Sequence, residues 1–231
     1  MNTNSRRQFI AGVGIVGAGI LAAGCTKKGA DKEVTAVEDL MREHGVLRRA
    51  LLVYKETAPR LRENPTPAIA EAVQKTAQLF RSFGEEYHEK ALEEKHIFPL
   101  LGKTDPGVSA LASTLVAQHE RGRQVTEYLL AVTQQGKIEN SKGVEIAQVL
   151  ESFVVMYQNH AAREDTVIFP AWKQAVPAGQ LDELSDRFED IERAQFGKDG
   201  FEKAVSRIAE IETALGLADI GQFTVQPPPR A

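Results

Sequence analysis

The sequence predicts an all-α fold, and three observations carry the prediction. Apolar residues recur at spacings of three and four through successive long segments, the period of an amphipathic helix. No segment shows the apolar–polar alternation of a strand. A histidine–carboxylate stretch ending in Phe-Pro occurs twice, which reads as two copies of a helix hairpin followed by further helices.

The first residues are excluded from the fold. Ser5-Arg6-Arg7-Gln8-Phe9-Ile10 is a twin-arginine pattern, and an apolar stretch from Ile10 to Gly24 follows it, short and glycine-rich for a spanning helix. Leu21-Ala-Ala-Gly24-Cys25 resembles a lipoprotein-processing box, with the leucine one place further from the cysteine than usual. Two readings stand: lipidation at Cys25, which is preferred, and a cleaved signal in which Cys25 is incidental. Residues 1–24 are thus read as the signal and 25–34 as a tether. An exported, periplasmic or cell-envelope protein anchored to the membrane at Cys25 is expected. With one cysteine, no disulfide forms within the chain. The twin-arginine route resembles that of proteins that fold, often around a cofactor, before export.

Without residues 1–24 the net charge is −6 rather than −4, because that segment holds two arginines and no acids. A mildly acidic domain gives no electrostatic reason to expect nucleic-acid binding. The remaining 207 residues suffice for one sizeable core.

The helices follow in order. From Thr35 to Thr57, Val37, Leu40, Met41, His44, Leu47 and Leu51 form an apolar stripe that includes the histidine. Pro59 to Pro67 reads as a loop, and Ala68 to Leu101 as the second helix, with Val73, Phe80, Phe83, Tyr87 and His88 near one face. After a turn at Gly102 to Gly107, the third helix runs from Val108 to Thr133 through Leu111, Leu115, His119, Thr126 and Leu129. Gln134 to Gly143 is a loop, and Val144 to Val176 is the fourth helix, with Phe153, Met156 and His160 at helical spacing. Residues 35–176 make the bundle. Residues 177–231 are an extension of two shorter amphipathic segments and a proline-rich tail, flanking the bundle.

The chemistry lies in the repeated stretch. One copy reads Tyr157-Gln-Asn-His160-Ala-Ala-Arg-Glu164-Asp165-Thr-Val-Ile-Phe169-Pro170. The other reads His88-Glu-Lys-Ala-Leu-Glu93-Glu94-Lys-His96-Ile-Phe98-Pro99, so that Glu93 aligns with Glu164 and Glu94 with Asp165. Glu43-His44 and Gln118-His119 form a second repeated pair. A single histidine on an apolar stripe is most often a satisfied core residue. Four histidines and two carboxylates turned to one interior would cost several kcal/mol each without compensation, and one or two cations offset that directly. Imidazole with carboxylate suits iron, manganese or zinc. No nucleophile triad, phosphate-cradling glycine loop or cysteine redox motif accompanies them.

These residues resemble the hemerythrin-like cation-binding family over residues 35 to 172. The repeated His…Glu-[Glu/Asp]-x-x-Ile-Phe-Pro carries the resemblance. It implies an up-down-up-down four-helix bundle enclosing two non-haem irons, bridged by carboxylates and an oxo or hydroxo group. His44, His88, His119 and His160 would be terminal ligands, and Glu93 and Glu164 bridges.

Two departures stand out. Oxygen-carrying hemerythrins have a further histidine one turn after the third-helix ligand, where this chain has Arg123. One metal would keep an open position, or His96, Tyr87 or Tyr157 would fill it; a non-ligand role is favoured for His96, which has Val167 as its counterpart. Second, His88 and Glu93 are five apart, which on an ideal α-helix sets them roughly 140° apart. A π-bulge between them is expected; an unbroken α-helix would put Glu89 or Glu94 in Glu93's place. Tyr87 and Tyr157 are read as hydrogen-bonding a carboxylate or a bound oxygen species, or as core aromatics. Arg123 is expected to neutralise an acid such as Glu94.

The resemblance implies binding of a small ligand (oxygen, peroxide or nitric oxide) at a metal pair. Reduction of peroxide or nitric oxide by an unidentified electron donor is the enzymatic alternative, and iron storage or donation for iron–sulfur repair a third.

Overall fold

The computed structural model describes residues 34–229 apart from 103, 104 and 178; the signal, most of the tether and Cys25 lie outside the described residues. Helix α1, Ala36–Glu63, starts at a capping box in which the Thr35 hydroxyl accepts from the Glu38 N–H and the Glu38 carboxylate reaches back to the Thr35 N–H. It does not stop before Pro59, as the sequence suggests, but continues to Glu63. Pro59 removes one helical hydrogen bond. Ala58 and Leu61 on either side of it are fully buried, and Arg60 donates to the Leu215 carbonyl at 3.1 Å. Packing and anchoring outweigh the lost bond.

Helix α2, Pro67–Leu79, begins with proline at N1 under the Thr66 cap. It widens without interruption into a π-helical stretch, Phe80–Ile97, and tightens again as α3, Phe98–Leu101. Helix α4 is Pro106–Thr133, capped by the Asp105 carboxylate accepting from the Gly107 and Val108 N–H groups. A 3₁₀ turn at Asn140–Lys142 leads into α5, Gly143–Arg163, then a second π-helical stretch, Glu164–Ile168, and α6, Phe169–Ala175. Pro170 therefore sits at the start of the last turns rather than ending the helix. Among the described residues there is no strand.

Four rods result: α1, α2 with α3, α4, and α5 with α6. Short connections make successive rods antiparallel, and the four close an up-down-up-down bundle. Helix α1 lies closest along α5. At their crossing a Cβ on Gly143 would stand 2.2 Å from the Leu61 carbonyl oxygen, so only glycine admits this approach.

Helices α7, Gln180–Phe196, and α8, Gly200–Leu215, pack on the outside of the first two rods. Phe188 stacks on Trp172 at 5.9 Å, Phe196 meets Tyr87 edge-on at 5.3 Å, and Arg49 pairs with Glu212. After a short 3₁₀ turn, Ile220–Phe223, residues 224–229 run exposed without regular structure.

Candidate metal centre

Each rod brings one buried histidine to the bundle interior: His44 from α1, His88 from the long π-helical stretch, His119 from α4 and His160 from α5. Their Nε2 atoms converge in two pairs. His44 and His88 stand 3.0 Å apart, as do His119 and His160. Glu93 and Glu164, both fully buried, lie between the pairs. One Glu93 oxygen is 3.3 Å from His88 Nε2 and the other 3.4 Å from His119 Nε2. One Glu164 oxygen is 2.9 Å from His160 Nε2 and the other 3.4 Å from His44 Nε2. Each carboxylate therefore spans both pairs.

An outer ring fixes the imidazoles. His44 Nδ1 lies 2.7 Å from Asp165, His88 Nδ1 2.6 Å from Glu43, His119 Nδ1 2.9 Å from Glu94, and His160 Nδ1 3.0 Å from the Gln118 side-chain oxygen. Those partners are acceptors, so each Nδ1 donates, and a ring that is neutral turns its Nε2 lone pair inward.

That arrangement tests the fit of a cation. Two inward lone pairs 3.0 Å apart repel unless a proton or metal lies between them. All four oxygens of Glu93 and Glu164 are buried without a hydrogen-bond partner among the described residues. Burial pushes both carboxyls upward, but the surrounding imidazoles hold Glu93 below the usual carboxylate range and Glu164 well below it. Burial alone would depress His88 and His119, yet the carboxylates around them raise both well above the ordinary imidazole value. The interior is built to hold positive charge. Two sets of three donors, His44 with His88 and Glu93, and His119 with His160 and Glu164, have the composition and closeness of cation ligands.

The backbone explains how His88 and Glu93 share a face despite five-residue spacing. Through this stretch the hydrogen bonds run i→i+5, as from the Phe98 N–H to the Glu93 carbonyl. The widening is far longer than a single bulge. In the second copy it begins only at Glu164, so His160 and Glu164 keep their α-helical four-residue spacing.

Comparison with known proteins agrees. Residues 35–172 match the hemerythrin HHE cation-binding domain. The chain belongs to that family. It is also 41% identical over 195 residues to uncharacterised proteins of Mycobacterium bovis and of two strains of Mycobacterium tuberculosis, covering 83% of this chain and 74% of theirs. No solved structure gives a significant match.

Within this hemerythrin-family site, Arg123 does not stand in for the absent histidine. Its guanidinium donates to Glu94 at 2.9 Å and Glu89 at 3.2 Å. His96 is half-buried against Phe188, 5.8 Å between ring centres, outside both donor sets. The Tyr87 hydroxyl donates to Glu43 at 2.9 Å, behind His88. The Tyr157 hydroxyl donates to Glu89 at 2.7 Å. That bond needs Gly122, where a Cβ would meet the hydroxyl at 2.1 Å.

Four contributors were not assigned roles from sequence. Glu43 and Gln118 each precede a first-hairpin-helix histidine and hold the histidine of the following rod; their signal was the repeat itself. In sequence Glu89 stands only as an alternative to Glu93, not as the acceptor for Tyr157 and Arg123, and Gly122 gives no signal. A cavity of about 10 Å³, near the space of one water, opens beside the donors; Leu47, Leu51, Ala161 and Tyr157 line it, with Arg48 among them. Arg48 is ion-paired with Asp165.

Proposed function

We propose that this protein is a non-haem di-iron protein that binds a small ligand, oxygen, peroxide or nitric oxide, at a carboxylate-bridged metal pair. The observation that carries the reading is the two facing donor sets, each with two inward Nε2 atoms and one oxygen from each of two spanning carboxylates. His44, His88, His119 and His160 would hold the metals, and Glu93 and Glu164 would span them. Such a pair, when bound, supplies redox-active Lewis-acid chemistry. The chain's own part is to fix the rings through Asp165, Glu43, Glu94 and Gln118, and to keep bulk water from a cavity that admits only a small molecule. Donor types alone leave manganese or zinc as alternatives to iron.

One observation favours an enzymatic second reading, reduction of peroxide or nitric oxide. Arg123 is turned to Glu89 and Glu94, and each set has only two histidines, which leaves positions for an exogenous ligand. Iron storage or donation is the third reading, and labile metal would mark it. The twin-arginine pattern and the Cys25 box support export of the folded protein and lipid anchorage in the envelope.

The test uses the chain purified without chelator or added metal. Bound metals are quantified, and absorption is recorded before dithionite, after it, and on return to air. About two irons per chain with a spectrum that bleaches and returns is expected. Zinc, or a single metal, removes the oxygen chemistry; no metal after anaerobic iron reconstitution overturns the reading.

A further inference from the structure

Beside the metal centre the bundle buries a carboxyl that the proposed function does not use. Glu85 lies in the long π-helical stretch, three residues before His88, and is fully buried. Neither of its oxygens closes a hydrogen bond of good geometry among the described residues; the Thr126 hydroxyl faces the carboxyl without completing one, and the buried Tyr54 hydroxyl is likewise unpaired. Arg81 Nε approaches one Glu85 oxygen at 3.1 Å, outside hydrogen-bonding geometry. A charged carboxylate with two orphan oxygens is the costly state of such a group, and a neutral one needs less solvation.

The groups around Glu85 come from every rod. Tyr54 faces it from α1, Arg81 and Glu89 from its own stretch, Arg123 and Thr126 from α4, and Tyr157 from α5. On one side, Glu89 and the Tyr157 hydroxyl join this cluster to the wall of the cavity beside the metal donors. On the other, Arg81 reaches the exposed Glu127 at 3.0 Å, so the cluster has an edge at the surface.

We propose that Glu85 is a proton store for the metal pair, holding a proton while the donor sets lack cations and releasing it to solvent when cations enter. Burial pushes its carboxyl up to about 7, the Glu89 charge adds to that, and the Thr126 hydroxyl, Arg81 and Arg123 oppose it. Positive charge arriving in the interior acts through a low-dielectric bundle and favours the carboxylate. Glu85 gives its proton to solvent water at the edge where Arg81 reaches Glu127, and the carboxylate left beside the Arg81 guanidinium offsets part of the added cation charge. The inference rests on the donor sets taking up metal, and its test separates the two.

Infrared spectra of the metal-free full chain should show a protonated-carboxyl stretch that disappears as pH rises through neutrality. Glu85→Gln removes that band. Thr126→Val keeps it but moves its midpoint to higher pH, because the hydroxyl that favours the charged form is gone. Zinc, which undergoes no redox change, is then loaded at pH 7 while protons are counted: Glu85, about half protonated there, should make the native chain release up to about half a proton more than Glu85→Gln. No titrating band, a band unchanged in Glu85→Gln, or equal proton counts with zinc bound each overturn the store. A native chain that takes up neither zinc nor, anaerobically, iron sinks the metal reading and the coupling with it, while the infrared band still decides whether Glu85 is protonated.

Discussion

Glu43 shows how much of this centre is settled one bond behind the candidate ligands. One oxygen holds His88 Nδ1 at 2.6 Å and the other accepts from Tyr87 at 2.9 Å, all of it buried. Replacing Glu43 by alanine leaves an imidazole and a phenol without their shared acceptor, and the ring loses the orientation that turns Nε2 inward. Outer partners of metal-bound histidines typically matter by roughly 10–100-fold in affinity, and that is the expected loss for Glu43→Ala, read by competition with a chelator. Gln118 has the same position against His160, but as a neutral acceptor at 3.0 Å. Gln118→Glu should therefore keep the metal and hold it as tightly or more so. Of these roles the sequence showed the position, through the repeated Glu43-His44 and Gln118-His119. It did not show the partner, because each acts on a histidine about 40 residues away, whose direction only the packed bundle determines.

Two glycines separate the effects of helix propensity and packing at the level of elements. Gly45 lies within α1 with open space where a Cβ would stand, whereas a Cβ on Gly143 would strike the Leu61 carbonyl. Alanine in an open helix interior is favoured by roughly 1 kcal/mol over glycine, so Gly45→Ala should raise stability by about that much. At Gly143, near the start of α5, the clash with backbone forces two packed rods apart, and such overpacking costs roughly 1–3 kcal/mol. Gly143→Ala should lower stability despite its better propensity; urea unfolding of both variants tests the contrast. The helices themselves were legible, because their apolar stripes face one interior and the stripe is visible in one dimension. The π-helical stretch was legible only in part: the five-residue spacing of His88 and Glu93 required a local departure from α, but nothing in spacing marks its full run from Phe80 to Ile97. The second stretch, from Glu164, escaped for the opposite reason, since His160 and Glu164 keep α spacing. The end of α1 was misplaced because Pro59 is a strong local signal and the burial of Leu61 is not local.

For the molecule as a whole, the question is what the C-terminal extension does for a bundle that the four rods already close. Its helices have amphipathic stripes, which the sequence shows, but their contacts are with surfaces that only the assembled bundle creates. Phe188 stacks almost parallel on Trp172, two residues after the second Phe-Pro, and also meets His96. His96 is pushed below the ordinary imidazole value by burial and by Arg187 and Lys95, so it serves there as a neutral ring. Removing a buried aromatic ring costs about 3–5 kcal/mol when the site cannot collapse. Phe188→Ala should fall within or just below that range, since α7 is a surface helix able to settle inward. The Phe188 ring contacts are with Trp172 and His96, outside both donor sets, so metal per chain should stay unchanged while the denaturation midpoint drops. If metal were lost in step with stability, the extension would have to be counted as part of the centre: its second contact, Phe196 edge-on to Tyr87, leads through Glu43 to His88. Measuring both quantities on Phe188→Ala and Phe196→Ala decides between these. A cover predicts that only Phe196→Ala disturbs metal retention, and a general scaffold predicts that both do.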